Sequence, residues 1–314
     1  MLNIEPFLKN NQYYNYAYHN LLHDILNNAE VEENQRTHTR IKALPNRTIG
    51  YSIVNTLPLI NTRKMFPVTA FAELCWTLSG ERKLDWLQQH TKMWDDFKND
   101  NNEIEAAYGY RWRKMFGRDQ LIQGIEALKK DPSNRQIFIS AWDNSKDGLG
   151  NIWTSNVPCP TCFCLNIIDK KLNLTLLLRS SDTIVGLPYD MLMYSLLLIV
   201  ITHELQQADI DVGYGSIYAM LSHAHIYEPH FAIAKELIKG VEFWLLNPKV
   251  AAEARAYCIQ DIDLTQNSIL WRLQTVSNII NDKDAAMTLF KECLLKQFGD
   301  KPLLPKMFRP EIIK

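Results

Sequence analysis

No charge of either sign dominates this chain. Lysine and arginine total 34, aspartate and glutamate 35, and the formal net charge is −1 at pH 7. That balance implies no surface built for a polyanion, although a small anionic ligand needs only a few placed arginines. A secretory leader is also missing: "MLNIEPFLKNNQYYNY" is polar and has no apolar centre. The longest apolar run, "MLMYSLLLIVIT" at 191–202, is too short to span a bilayer and is flanked by Asp190 and by His203-Glu204, which predicts a core helix. Six cysteines without an export signal point to a reducing cytoplasm rather than a disulfide scaffold. There is no GxSxG, no P-loop and no GxGxxG, and so none of the nucleophile elbows or phosphate cradles those motifs mark. Internal repeats, low-complexity tracts and a Pro/Gly-rich linker are absent as well.

What is present is ordinary globular material, 46% hydrophobic and 22% charged over 314 residues, enough for one large domain or two small ones. Residues 11–28 have helical apolar spacing, and the polar, basic "ENQRTHTRIK" (33–42) reads as a loop. "TIGYSIVNTLPLI" (48–60) and "NRQIFISAWD" (134–143) are strand-like, and 67–90 reads as helix, turn, helix. "CPTCFCLNII" (159–168) and "KLNLTLLLR" (171–179) form a predicted hairpin. A helix over about 187–207, a strand over 211–227, a helix over 230–240 and two helices between 269 and 298 complete the reading. This irregular mixture favours an α+β fold over a doubly wound sheet.

"CPTCFC" gathers Cys159, Cys162 and Cys164, and "SHAHIY" supplies His223 and His225. A Cys162/Cys164/His223/His225 metal cage is one reading. CxC is not the usual zinc spacing, and period-2 alternation puts Cys159 on the other side of the strand, so no metal is expected and core packing is the simpler fate of Cys162 and Cys164. Cys159 differs, because it follows a proline at the start of a strand, where a side chain can face a cleft. A thiolate there needs positive charge nearby, and Arg36 and Arg179 are the candidates.

Several stretches together resemble the family of thymidylate synthase and its pyrimidine-hydroxymethylase relatives. "VPCPTCF" resembles the family's nucleophile strand, "RSSDTIVGLPYD" its Arg-Ser-x-Asp-x-x-x-Gly-Leu-Pro-x-Asn signature, and "HAHIY" its Asp-x-His-x-Tyr. "FAELCWTLSG", "MWDDF", "AAYGYRWR" and "DPSNRQIFISAWD" resemble four further segments. All seven come in family order over about residues 20–240. The resemblance implies a thymidylate-synthase-like mixed β-sheet flanked by helices, with a divergent helical region over 241–314, the whole of 1–314 being one domain. It also implies a cytoplasmic enzyme, in one reading of a phage-infected bacterial cell, that transfers a one-carbon unit from 5,10-methylenetetrahydrofolate to C5 of a pyrimidine nucleoside monophosphate.

The chemistry needs these residue types. C5 is a poor nucleophile until a thiolate adds to C6 and makes it enol- or enamine-like. By resemblance Cys159 is that thiolate. Arg36, Arg179 and Ser180 would bind the 5′-phosphate, and Arg135 would reach in from a second subunit, which makes a homodimer. His225 and Tyr227 would hold the ribose hydroxyl. Asp182, Trp94 and Gly186 would line the folate site. Glu73 would organise proton transfers and Tyr108 would help remove the C5 proton. A partner nucleic acid or membrane is not expected. Asp182 has a plainer alternative as a cap on the following turn, and Arg36 and Arg135 as solvated surface charges.

Departures from the family pattern carry information too. The histidine after the nucleophile is Pro160, the second interface arginine is Gln136, and His223 stands where the family has Asp. Most telling is Asp190, where the signature ends in an asparagine that donates to O4 and accepts from N3–H of uracil. An ionised carboxylate cannot donate. It can accept from N4 of cytosine and share a proton with N3, and burial helps it hold that proton. Asp190 therefore points to a cytosine nucleotide, and the expected activity is deoxycytidylate 5-hydroxymethylation. The alternatives are a dCMP 5-methyltransferase, a CMP 5-hydroxymethylase, a thymidylate synthase, or an inactive member that binds nucleotide or RNA.

Overall fold

The computed structural model describes residues 10–35, 37–53, 57–60, 62–63, 65–149, 157–246 and 275–298. Helix α1 (Asn10–Asn28) leads into β1 (Val31–Asn34) and β2 (Thr39–Ser52). Here the expected loop at 33–42 is corrected to a hairpin. Asn34 Oδ1 accepts from the Thr37 N–H at 3.1 Å and turns the chain, and the edge pair β1–β2 has no apolar face to reveal it. The strand expected at 48–60 likewise starts earlier and stops at Ser52; beyond it Leu57, Leu59 and Ile60 are buried without being strand.

Helix α2 (Pro67–Ser79) begins with proline, whose missing N–H costs nothing in the first turn, and ends at Gly80 with φ 65°. The second helix expected before residue 90 is only a 3₁₀ turn, Leu87–Gln89. A short helix α3 (Tyr108–Tyr110), α4 (Gln120–Lys130) and β3 (Ile137–Ser140) follow. Next come β4 (Pro160–Ile168), β5 (Lys171–Leu178), the two-residue β6 (Ser181–Asp182), α5 (Gly186–Gln207), β7 (Gly213–Tyr227), α6 (Phe231–Leu246), α7 (Val276–Asn281) and α8 (Lys283–Phe298).

The seven strands make one mixed sheet in the order β1-β2-β7-β5-β4-β3, with β6 beside the end of β7. All neighbours are antiparallel except β5 and β6, which both run parallel to β7. This is the expected α+β architecture.

The pleat gives the sheet two unlike faces. Phe163 and Leu165 point inward, and Phe163 meets Tyr194 of α5 edge-on at 5.7 Å. Helix α5 is apolar nearly all round because it is enclosed nearly all round; it is long and apolar enough to cross a membrane, but 83% of its apolar window is buried inside the protein. The outward face shows Phe138, Leu177, Tyr218 and Met220, all exposed. Cys162 and Cys164 are half-buried on this outward side, paired with Ser140 and Phe138, so their expected core packing is corrected.

Backbone crowding fixes where α3 begins. A Cβ on Gly109 would lie 1.7 Å from the Thr77 carbonyl oxygen at the end of α2, so only glycine lets α2 and α3 touch there. Gly109→Ala is expected to destabilise the fold by about 3 kcal/mol or more and to displace Tyr108. Denaturant unfolding together with near-UV circular dichroism checks this; a variant as stable as wild type would contradict the contact.

Candidate active site

Cys159 precedes β4, where the ladder slips between Pro160 and Cys162, and its carbonyl accepts the Arg179 N–H at 3.0 Å. Arg179 leaves the end of β5 and is tied down by backbone: Nε donates to Pro158 O and Nη2 to Val157 O, both at 2.8 Å. Nη2 also lies 3.9 Å from the Cys159 sulfur. A cation held this close sits where negative charge develops when the thiol ionises. The guanidinium carbon stands 5.8 Å from the centre of the Trp142 ring. Buried Arg111 holds the backbone on either side of Trp142: it pairs with Asp147 and donates to Ala141 O at 2.7 Å, while Asp147 Oδ2 accepts from Asp143 N. An open depression of about 470 Å³ beside Arg179, lined also by Ser140, Trp142 and Cys162, opens on the outward face of the sheet.

Carboxylates form the other half of the site. Glu73, on α2, is 6% exposed, and Trp94 Nε1 donates to its Oε1 at 3.0 Å. Burial pushes the Glu73 carboxyl up to about 7, against a smaller opposite effect of that hydrogen bond. Asp190, in the first turns of α5, keeps some accessible surface yet is enclosed by protein groups. This enclosure first, and then the like charges of Glu73 and Asp182, push its carboxyl well above the ordinary range. Gly186 lies between two of these groups: a side chain there would put its Cβ 3.8 Å from Asp190 Oδ2 and 4.0 Å from the Asp182 Cβ. The buried Tyr108 ring meets Trp94 edge-on at 5.5 Å. Its hydroxyl is held well above its usual range by burial first, then by Cys159, Asp190 and Glu73. Tyr108 thus lies within electrostatic reach of Cys159, Glu73 and Asp190.

The strand ends supply the remaining groups. Asp182 pairs across the sheet with His225, and Thr183 donates to the His225 carbonyl through both N–H and Oγ1. Tyr227 stands perpendicular to the His225 ring at 4.9 Å, and His223 Nδ1 lies 3.4 Å from His225 Nδ1. Ser180 sits half-buried between Arg179 and β6. Asp182 Oδ1 accepts from Ile184 N at 2.9 Å and Val185 N at 3.1 Å, so it does brace the turn before α5.

Two predicted site residues stand apart. Arg36 lies outside the described residues. Arg135 is exposed on the turn before β3, level with the far end of β4 from Cys159. Eight residues of strand separate the two, roughly 25 Å, so Arg135 cannot serve its own Cys159. The four-ligand cage does not form either, because β5 lies between β4 and β7; among the described residues no three metal-ligating side chains converge.

Sequence reasoning missed Arg63. It is buried, donates to Ile184 O and hydrogen-bonds Tyr18, whose hydroxyl donates to Thr183 O at 2.9 Å. These contacts pin the carbonyls of the turn whose amides Asp182 holds. The available signal was an arginine within the apolar stretch "LPLINTRKMF". Trp142 was missed too, and nothing local marks it.

Glu73 has a stability signature. Its carboxyl is raised from 4.5 to about 7 in the fold. Its contribution is therefore fully present below pH 4.5 and is lost as pH rises through 7, a swing of about 3 kcal/mol. Glu73→Gln is expected to be more stable than wild type at pH 8 and about equal to it at pH 4.5. Urea unfolding at the two pH values checks this; equal stability of both proteins at pH 8 would mean that Glu73 is not desolvated.

The family model described as Thymidylate synthase matches residues 16–269, well over half of the chain. That match spans Cys159 and Arg179, the carboxyls of Glu73, Asp182 and Asp190, and the strand ends. The family is one of transferases, which use methylenetetrahydrofolate to carry a one-carbon unit to C5 of a pyrimidine nucleotide. This chain belongs to the thymidylate synthase family.

Proposed function

We propose that the protein is a deoxycytidylate 5-hydroxymethylase, working as a cytoplasmic homodimer on dCMP and 5,10-methylenetetrahydrofolate. The observation that carries this reading is the carboxyl of Asp190, enclosed beside Glu73 and Asp182. A carboxyl that keeps a proton can donate to N3 of cytosine and accept from N4. N3 is itself a base, so the proton is shared and the bond is charge-assisted. Uracil offers O4, which is no such base, and a neutral pair at most.

The other residues take roles that fit this ligand. Cys159 adds to C6 and Arg179 stabilises the developing thiolate while holding the phosphate with Ser180 and Arg36. His225 and Tyr227 lie where the sugar hydroxyl would fall. Glu73, poised near neutrality, relays protons with Tyr108. Folate supplies the one-carbon unit; Gly186, Trp94 and the Asp182 edge would hold its ring. Water would quench the exocyclic carbon to give the hydroxymethyl group.

The dimer reading rests on the outward sheet face and on Arg135. The exposed Phe138, Leu177, Tyr218 and Met220 form an apolar surface of the kind subunits cover, and a second copy against it would bring its Arg135 toward the depression beside Arg179. Mixing Cys159→Ala with Arg135→Ala protein is expected to regain activity that neither shows alone. A fully active monomer in sedimentation would overturn the shared site.

Mass analysis of product from dCMP, CMP and dUMP, each with methylenetetrahydrofolate, tests the whole reading. A hydroxymethyl gain on dCMP alone is expected. Asp190→Asn should lose dCMP activity by about tenfold to a hundredfold, the cost of a mispaired buried edge, and gain dUMP binding. Cys159→Ala should release no tritium from C5 of the nucleotide. An unchanged dCMP to dUMP preference in Asp190→Asn would reduce Asp190 to a helix-end residue and remove the cytosine assignment.

A further inference from the structure

We propose that the C-terminal hairpin α7–α8 is a brace that holds the Glu73–Trp94 hydrogen bond together. This rests on the reading of Glu73 as an acid–base group. The hairpin lies beyond residue 269, where the match to the family model ends.

Helix α8 grips both partners of that bond from behind. On the α2 side Phe290 stacks on Phe71, centroids 4.2 Å apart and planes 14° from parallel. Phe71 and Cys75 are one helical turn apart, on the side of α2 opposite Glu73; both are fully buried. On the other side α8 holds the segment that leads to Trp94. Trp86 Nε1 donates to Asp284 Oδ1 at 2.8 Å, Lys283 Nζ stands 4.9 Å from the Trp86 ring and bonds Glu81, and Lys291 Nζ lies 3.5 Å from His90 Nδ1. Gln88, in that segment, donates to Asp95, the neighbour of Trp94. The hairpin is itself anchored on α5, where Glu204 accepts from Ser277 N at 3.1 Å and Oγ at 2.8 Å. One element thus fixes the distance between the helix that carries the carboxyl and the loop that carries its indole donor. Loosening either grip would let water reach Glu73.

The test follows Glu73 directly, by the infrared carboxyl band that disappears in Glu73→Gln, titrated in the full chain without substrate. Lys283→Ala/Asp284→Ala changes only the partly exposed side of the grip, and Phe290→Leu keeps most of the buried volume, so both are expected to fold. The brace predicts that the Glu73 midpoint falls from about 7 toward the ordinary carboxylate range in both. It also predicts that kcat falls about tenfold, as misplacement of a reacting group does, with little change in the KM for nucleotide. Asp284→Asn, which keeps an oxygen for Trp86, should behave as wild type. Wild-type midpoint and kcat in both variants would overturn the brace and leave α8 as packing alone. A shifted midpoint with unchanged kcat would support the brace and overturn the acid–base role of Glu73, which separates the two readings.

Discussion

Two carboxyls, Glu73 and Asp190, are set where water is scarce, and burial raises the proton affinity of both, with the charge of Asp182 adding to the rise at Asp190. That raised proton affinity is the constraint around which the rest of the site is arranged. Glu73 takes a hydrogen bond from an indole rather than a cation, so nothing strong opposes its neutralisation. Asp182 spends one oxygen on two turn amides. Asp190 lies beyond both, enclosed and repelled by both. Across from them, Arg179 is fixed by two backbone carbonyls beside the Cys159 sulfur. The site is therefore polarised, with a cation at the sulfur end and proton-holding acids at the other. A nucleoside monophosphate has the same polarity, with an anionic phosphate at one end and a neutral hydrogen-bonding ring at the other.

That polarity depends on geometry far from the reacting atoms. The turn between β6 and α5 is held from both directions, its amides by Asp182 and its carbonyls by Tyr18 and Arg63. Helix α5 starts there at Gly186, and its apolar length anchors the turn in the core. Helix α2 must come close enough to α3 for Gly109 to touch the Thr77 carbonyl; the same approach brings Tyr108 under Trp94. Each contact is small, and together they leave Asp190 and Glu73 little freedom to move apart.

Much of this was legible in the residues. The long helix at 186–207, the hairpin at 160–178 and the strand ending at Tyr227 carry strong apolar or alternating patterns, and they fall within two residues of where such patterns place them. The β1–β2 hairpin was not legible, because an edge pair of polar residues has the same composition as a loop. Cys162 and Cys164 were misplaced because cysteine suits either side of a sheet, and only pairing with the exposed Phe138 shows the side they take.

The sequence by itself determined which groups could do chemistry: a cysteine after a proline, an arginine and two aspartates around a Gly-Leu-Pro turn, and a glutamate in an apolar helix. Their order along the chain was enough to indicate the family. Tertiary structure alone decided which of them share one dielectric environment. Glu73 and Asp190 are more than a hundred residues apart, and the rise in their proton affinity comes from desolvation and, at Asp190, also from the charges of Glu73 and Asp182, which depend on distance through space and not along the chain. The same holds for Arg135, whose residue type suits a phosphate but whose place at the far end of β4 removes it from Cys159 of its own chain.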